Sequence, residues 1–362
     1  MTEALAFPHA EPPAEGQSTR IAPGILWLRL PLPMALDHVN VYALEDADGW
    51  TLVDTGVNTA RSRAVWDRLC AGPLGGRPIA RVLLTHHHPD HVGLAGHFKT
   101  RGAEILATRT AWLFARMLTL DVQERHTPEA MEFYQRAGAP PAVMARRAKE
   151  RPFNFADIVA PIPPGFTRRD EGDMLTLAGR RWRVRIGHGH APDHATLFSE
   201  DDRLVFGGDQ LLPKISANIG VYPTEPEADP LGEWLASAAR FRTFARESQL
   251  VLPGHKLPYT GLPRRLDEII EGHHKVLALL RGHLAAPRRA AECFAPLFGR
   301  EIAEAEYGLA LVEAVAHLNY LLRRGMVSRS LGPDGAWIWQ VAAEDGGRGD
   351  GTTAKGRSAG QG

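Results

Sequence analysis

The sequence is short of several things, and each shortage narrows the field. It has two cysteines, Cys70 and Cys293, far apart and in no CxxC arrangement. That excludes a disulfide framework and points to a reduced compartment, with both thiols expected as small buried hydrophobes. No uninterrupted apolar run approaches the roughly 18 residues of a transmembrane helix, so a helical membrane protein is excluded. Neither charge is in excess, because 42 Lys+Arg balance 42 Asp+Glu. This weighs against a protein whose main work is to coat a polyanion, and so against nucleic acid as the partner. The first 20 residues lack a basic region followed by an apolar core, so no signal peptide is expected and a cytoplasmic location is the default.

What is present reads as a globular chain of two domains. Of 362 residues, 44% are hydrophobic and 23% charged, which is ordinary for a packed core. Residues 1–20, rich in Pro, Glu and Gln, read as a disordered leader, and residues 343–362, rich in Gly, Ser and Thr, as a disordered tail. Between 21 and 260, short apolar strands alternate with helical patterns, which argues a mixed α/β sheet architecture. Residues 101–160 interrupt this with two or three amphipathic helices, broken near Thr127-Pro128 and Ala139-Pro140-Pro141. Residues 261–342 suggest three helices, at Arg264–Leu284, Pro287–Phe298 and Ala305–Arg324, followed by a hairpin turning at Pro333-Asp334-Gly335. This is the outline of a winged-helix domain.

The chemistry concentrates in histidines. After the apolar run Val82-Leu83-Leu84 comes Thr85-His86-His87-His88-Pro89-Asp90-His91. On an extended stretch, residues two apart point the same way, so His86 and His88 converge on one metal. Pro89 ends the extension, and Asp90 and His91 open the next helix, where they face a second metal. Three more candidates each follow an apolar strand: His190 after Trp182–Ile186, Asp209 after Leu204–Gly207, and His255 after Leu250–Leu252. Strand followed by ligand, repeated, gathers all of them at one sheet edge. Imidazole and carboxylate are ligands that Zn²⁺ accepts. His87 is expected to point away from the metals. His188 and His194 are expected to hydrogen-bond around His190, with proton transfer as the sharper alternative.

The ordered series Asp54-Thr55-Gly56, His86-x-His88-x-Asp90-His91, His190, Asp209 and His255 resembles the metallo-β-lactamase fold superfamily. The resemblance spans about residues 21–260 and implies a four-layer αββα sandwich. It further implies that His86, His88 and His190 hold one metal, that Asp90, His91 and His255 hold a second, and that Asp209 and a water or hydroxide bridge them. Asp54 matches a residue that supports the metal loops. Asp90 and Asp209 are then the catalytic carboxylates, with two Zn²⁺ as cofactors and iron as the alternative.

Particular positions narrow the branch. β-Lactamases of this fold carry Cys or Ser where this chain has Asp209. Flavodiiron-type oxidoreductases carry Glu where it has His88, and quorum-signal lactonases carry Tyr where it has Leu212. The glyoxalase II type shares all seven ligands. The expected activity is therefore hydrolysis of a small ester or thioester by a metal-bridging hydroxide, which needs no Ser or Cys nucleophile. The aromatics and methionines of 101–160 (Trp112, Phe114, Met117, Phe133, Tyr134, Met144, Phe153 and Phe155) would suit an apolar acyl group in a lid, or else pack that segment's own core. Two alternatives stay open, a single-strand endoribonuclease of the winged-helix type and a mononuclear iron persulfide dioxygenase. The C-terminal helices are read as packing or dimer-forming elements, which leaves a homodimer open.

Overall fold

Alternate residues of the strands face two different interiors, and this split organises the molecule. The computed structural model describes residues 4–33 and 36–342. The first sheet has seven strands in chain order: β1 (Ser18–Ala22), β2 (Ile25–Pro31), β3 (His38–Asp46), β4 (Gly49–Val53), β5 (Ile79–Leu83), β6 (Glu104–Ala107) and β7 (Thr167–Arg168). Pairing is antiparallel up to β4 and parallel from there on. The second sheet runs in the order β12-β11-β10-β9-β8, formed by β8 (Met174–Leu177), β9 (Arg180–Gly187), β10 (His194–Ser199), β11 (Leu204–Gly208) and β12 (Leu250–Pro253).

On β3, Tyr42 and Leu44 pack into the interior between the sheets, while Val39, Val41 and Ala43 pack into the outer core of the first sheet. On β9, Trp182, Val184 and Ile186 face the interior between the sheets. Their neighbours Arg181, Arg183 and Arg185 carry the opposite face, as a period of two requires. Helices α1 (Ala60–Ala71), α2 (Pro89–Val92) and α3 (Ala95–Lys99) cover the outside of the first sheet through Trp66, Val92 and Phe98. The result is the αββα sandwich that the resemblance implied.

Between β6 and β7 lie α4 (Arg109–Leu120), α5 (Pro128–Arg136) and α6 (Pro141–Arg147). Thr108 and Thr127 cap α4 and α5 by accepting from Ala111 N and Ala130 N. Prolines at the first turns of α5 and α6 start those helices, since their missing N–H would be unpaired there anyway. The insertion is thus shorter at its start than 101–160. Glu104–Ala107 is a sheet strand, and its Ile105 and Leu106 are buried.

The second sheet is covered by α7 (Pro230–Arg242) and then by the C-terminal elements α8 (Leu262–His283), α9 (Phe294–Phe298), α10 (Tyr307–Arg323) and the hairpin β13 (Val327–Leu331) and β14 (Trp337–Val341). The expected helix at Pro287–Phe298 is a 3₁₀ turn, Ala290–Glu292, followed by the five-residue α9. Pro296 lies within this stretch, where it offers no N–H. One apolar cluster joins Val205 and Val251 of the sheet, Trp234 and Phe241 of α7, Leu266 and Leu280 of α8, and Leu311 and Leu318 of α10. The C-terminal region therefore completes the catalytic region's core and shares it.

The N-terminal leader also departs from expectation. From residue 4 onward it is placed, not loose. Ala6 and Thr260 exchange backbone hydrogen bonds, Phe7 packs on Tyr259 at 6.5 Å, and Glu15 pairs with Arg61 and Arg68. Composition pointed to disorder, but Leu5 and Phe7 supply enough apolar surface to join the core. The expected tail at 343–362 lies outside the described residues.

Candidate metal centre

Asp54 directly follows β4 with φ at +64°, a left-handed conformation that costs a non-glycine residue free energy. Three polar contacts hold it there. Its Oδ1 accepts from Thr85 N at 2.8 Å and its Oδ2 from Thr85 Oγ1 at 2.7 Å. The same Oδ2 sits 2.7 Å from His91 Nδ1. Asp54 thus fixes the start of the histidine loop and the ring that ends it. His88 has extended dihedrals and Pro89 begins α2, so the chain turns at the point where proline was expected to break it. His86 Nε2 and His88 Nδ1 face each other at 2.9 Å.

The other three candidates arrive from the second sheet. His190 Nδ1 donates to the Asn218 carbonyl at 2.9 Å, which leaves Nε2 facing the site. Asp209 follows β11, and its backbone N–H donates to His194 Nε2 at 3.0 Å. His255 follows β12, and its Nδ1 donates to the His38 carbonyl at 3.0 Å. The backbone comes so close that a side chain on Gly254 would collide with Asp209 Oδ1.

All seven predicted residues meet. His86, His88 and His190 form one group, His86, His91 and Asp209 a second, and Asp90, His91 and His255 a third, with ligand atoms in each within 4.8 Å of one another. Asp209 Oδ2 lies 3.5 Å from His91 Nε2, 3.5 Å from His190 Nε2 and 3.4 Å from His255 Nε2. This places it between the groups, as a bridging ligand must be. His91 Nε2, His190 Nε2 and Asp209 Oδ1 are buried with no hydrogen-bond partner. Orphaned imidazole and carboxylate atoms converging on one point fit a divalent metal of the zinc type.

Electrostatics divides the site. Burial, reinforced by neighbouring imidazoles, pushes His86 and His88 well below the usual histidine range. Burial would push His91 and His255 the same way, but carboxylates outweigh it. Asp90, Asp209 and Asp54 raise His91 well above its ordinary value, and Asp209 and Asp90 raise His255 to about 10. In return, His255 and His91 hold Asp209 well below the carboxylate range against its own burial.

The chain matches the metallo-beta-lactamase superfamily over residues 34–255. It belongs to that superfamily. Residues 277–342 match the metallo-beta-lactamase-like C-terminal domain. Among solved structures, a beta-lactamase domain protein from Burkholderia ambifaria is 35% identical with a TM-score of 0.86, covering 93% of this chain and 98% of that one. A metallo-beta-lactamase family protein from Thermus thermophilus is 28% identical with a TM-score of 0.74, covering 89% and 100%. The probable metallo-hydrolase YqjP of Bacillus subtilis (strain 168) is 27% identical over 82% of this chain and 92% of its own length. A linear primary-alkylsulfatase of a Pseudomonas species is 24% identical over 66% of this chain, which spans 45% of that enzyme.

Within this metallo-beta-lactamase site the remaining histidines take other roles. His87 belongs to none of the three ligand groups and lies 5.3 Å from Phe114 of α4 and stacked on Phe155 at 6.3 Å. His194 stays neutral, pushed down to about 3 by burial, and orients Asp209 by accepting its N–H. His188 turns to the Pro192 carbonyl. The aromatics of the insertion do not form one lid cavity. Phe133 and Tyr134 join the core of the second sheet, Trp112 and Phe155 that of the first, and Phe153 is exposed. The break between α4 and α5, with a threonine cap restarting the second helix, lets the two pack on different layers.

Sequence reasoning passed over Asn40 and Asn218. Asn40 Nδ2 donates to the carbonyls of Pro253 and Lys256, on both sides of His255, and its Oδ1 accepts from Trp27 Nε1. Its signal was there to read, because an amide inside the apolar strand Val39-Asn40-Val41 must find partners or carry a desolvation cost. Asn218 has no such signal, since its loop has no pattern.

Proposed function

We propose that the protein is a hydrolase of small esters or thioesters that uses two zinc ions. The observation that carries this reading is Asp209, a buried carboxylate within 3.5 Å of an imidazole from each side of the centre. When bound, divalent metals at these groups supply Lewis acidity and bring the ionisation of water towards neutral pH. The chain itself supplies orientation and fixed negative charge. Asp90 Oδ2 lies 3.2 Å from His255 Nε2 and 3.5 Å from His91 Nε2. Although burial opposes it, these rings keep Asp90 below the carboxylate range, hence ionised, as a metal ligand has to be.

Neither cysteine competes for the role. Burial pushes the Cys293 thiol up to about 12 and raises Cys70, and neither belongs to the metal groups. The arginines of β9 are already engaged, Arg180 with Asp202, Arg181 with Asp201, Arg183 with Glu200 and Arg185 with Glu171. In the C-terminal region Arg324 pairs with Asp229 and Arg329 with Glu227. Tied in this way, these cations favour a small substrate over RNA. Helix α4 exposes Leu113, Met117 and Leu120, and its Phe114 packs against His87.

The test is turnover by zinc-loaded protein on a panel of thioesters, carboxylic esters, alkyl sulfates and single-stranded RNA, with and without a chelator. The alkylsulfatase relative is the reason for the sulfate esters. Chelator-sensitive turnover of an ester or thioester is expected. Cleavage of RNA alone would overturn the reading.

A further inference from the structure

The segment from Asp209 to Tyr222 connects the bridging carboxylate to the carbonyl that holds His190, and the C-terminal region grips it along its length. From α8, Arg265 donates through Nε to the Leu212 carbonyl at 2.7 Å and through Nη2 to the Ile215 carbonyl at 2.9 Å. From α10, the Val312 carbonyl accepts from Val221 N at 3.0 Å. Between these points Asn218 Nδ2 donates to Glu313 Oε2 at 2.7 Å and more weakly to the Leu309 carbonyl at 3.4 Å. Tyr222 Oη lies 3.5 Å from Asn218 Oδ1.

One residue therefore has two tasks. The side chain of Asn218 is anchored on α10, and its carbonyl takes the Nδ1 proton of His190. A ring held at one nitrogen has its other nitrogen aimed by that bond, which is how partners of metal-ligating histidines set tautomer and direction. His190 Nε2 is the atom that must reach the metal, and it has no hydrogen-bond partner. Moving the Asn218 carbonyl would swing it. The Glu313–Asn218 bond spans 95 residues of sequence and is partly buried, so no neighbour in sequence would restore the position if it were lost.

We propose that Asn218 and Glu313 are positioning residues for His190, through which the C-terminal domain sets the metal affinity of the His86–His88–His190 group. The proposal rests on the metal-centre reading above. It is read out by metal binding without any substrate, so a protein that binds zinc but hydrolyses nothing would leave it standing.

The experiment is zinc affinity of the full-length chain by chelator competition. Glu313→Leu and Asn218→Ala should each weaken binding by about 10–100-fold. Glu313→Gln should restore it, because its amide oxygen still accepts from Asn218. In a His190→Ala background, Glu313→Leu should change affinity by less than about twofold, because the ring it orients is gone. Unchanged affinity in both Asn218→Ala and Glu313→Leu would overturn the proposal. So would an equal loss with and without His190, which would mean that α10 merely supports the fold. Should Glu313→Leu fail to fold, Asn218→Ala, at a half-buried loop position, runs the same cycle with His190→Ala, and the same outcomes support or overturn the proposal.

Discussion

The two halves of the metal centre are held in different ways. Four candidate ligands, His86, His88, Asp90 and His91, leave one strand end within six residues. Their main brace is a single carboxylate, Asp54, on the neighbouring strand of the same sheet. The other three, His190, Asp209 and His255, leave three strand ends of the second sheet. Each leans on something different: the Asn218 carbonyl, the His194 ring, and the His38 carbonyl with Asn40 beside it. One half is local and concentrated, the other distributed over the molecule. A concentrated brace fails all at once when its one residue is lost. A distributed one fails by degrees, but it can be disturbed from far away.

The residue shared by both halves should show the largest effect. Asp209→Ala removes the carboxylate within 3.5 Å of His91, His190 and His255. Zinc content should fall, and turnover on the best substrate should drop to the level of the chelated wild type. Retention of wild-type turnover would mean that the halves do not depend on Asp209. Next is the C-terminal region. Truncation after Gly261 removes Leu266, Ile269, Leu277, Leu280 and Leu311 from a common core. Each such side chain contributes about 1.5–3 kcal/mol when buried, against a total stability of about 5–15 kcal/mol. Differential scanning calorimetry of the truncated chain should show no cooperative transition. A transition near that of the full chain would show that the catalytic core stands alone.

The same contrast governs what could be read from the sequence. The concentrated half was legible because its ligands lie in one motif whose spacing has only a few geometric solutions. The distributed candidates could be read as well, because each follows an apolar strand and strand ends share an edge. Their braces were less accessible. Asn218 meets Glu313 only because α10 packs across the second sheet, a fact of tertiary structure that leaves no local periodicity. Likewise the leader's Phe7 reaches Tyr259 across most of the chain, and composition alone concealed it. The strands were legible as short apolar runs, and the inserted segment as two or three helices from apolar spacing and proline breaks. The expected helix from Pro287 to Phe298 was too long because its Ala-rich stretch looks helical until Pro296 is weighed.

The distributed half should also be sensitive to acid at a distance. His317 on α10 and His273 on α8 lie 5.7 Å apart. Burial pushes His317 down to about 4 and His273 to about 3. Unfolded, each would take up a proton near 6.5, so the stability they confer is full above that pH and is lost as pH falls towards their folded values. Glu313 beside them acts oppositely. Burial raises it to about 7, so its contribution is lost as pH rises from its ordinary 4.5. His317→Gln should remove one of the acid-sensitive groups. Between about pH 7 and pH 4 the variant should lose about 3 kcal/mol less than the wild type. Urea unfolding at both pH values measures it, and parallel losses would show that His317 is not the sensor.

The smallest effect is the one that tests the comparison most directly. Asp54→Ala cuts the brace of the concentrated half, because one carboxylate holds Thr85 through two bonds and His91 through a third. Asn40→Ala cuts one brace of the distributed half. There the Pro253 carbonyl keeps its bond from Tyr42 Oη, and His255 keeps its bond to the His38 carbonyl. The Lys256 carbonyl, at a residue held at φ +69°, and the buried Trp27 Nε1 lose their partner. Losses of zinc affinity for residues behind a ligand run to about 10–100-fold. Asp54→Ala belongs at the upper end of that range and Asn40→Ala at the lower. Chelator competition on the two variants ranks them. If Asn40→Ala lost as much as Asp54→Ala, the second half would be as concentrated as the first, with its brace at Asn40.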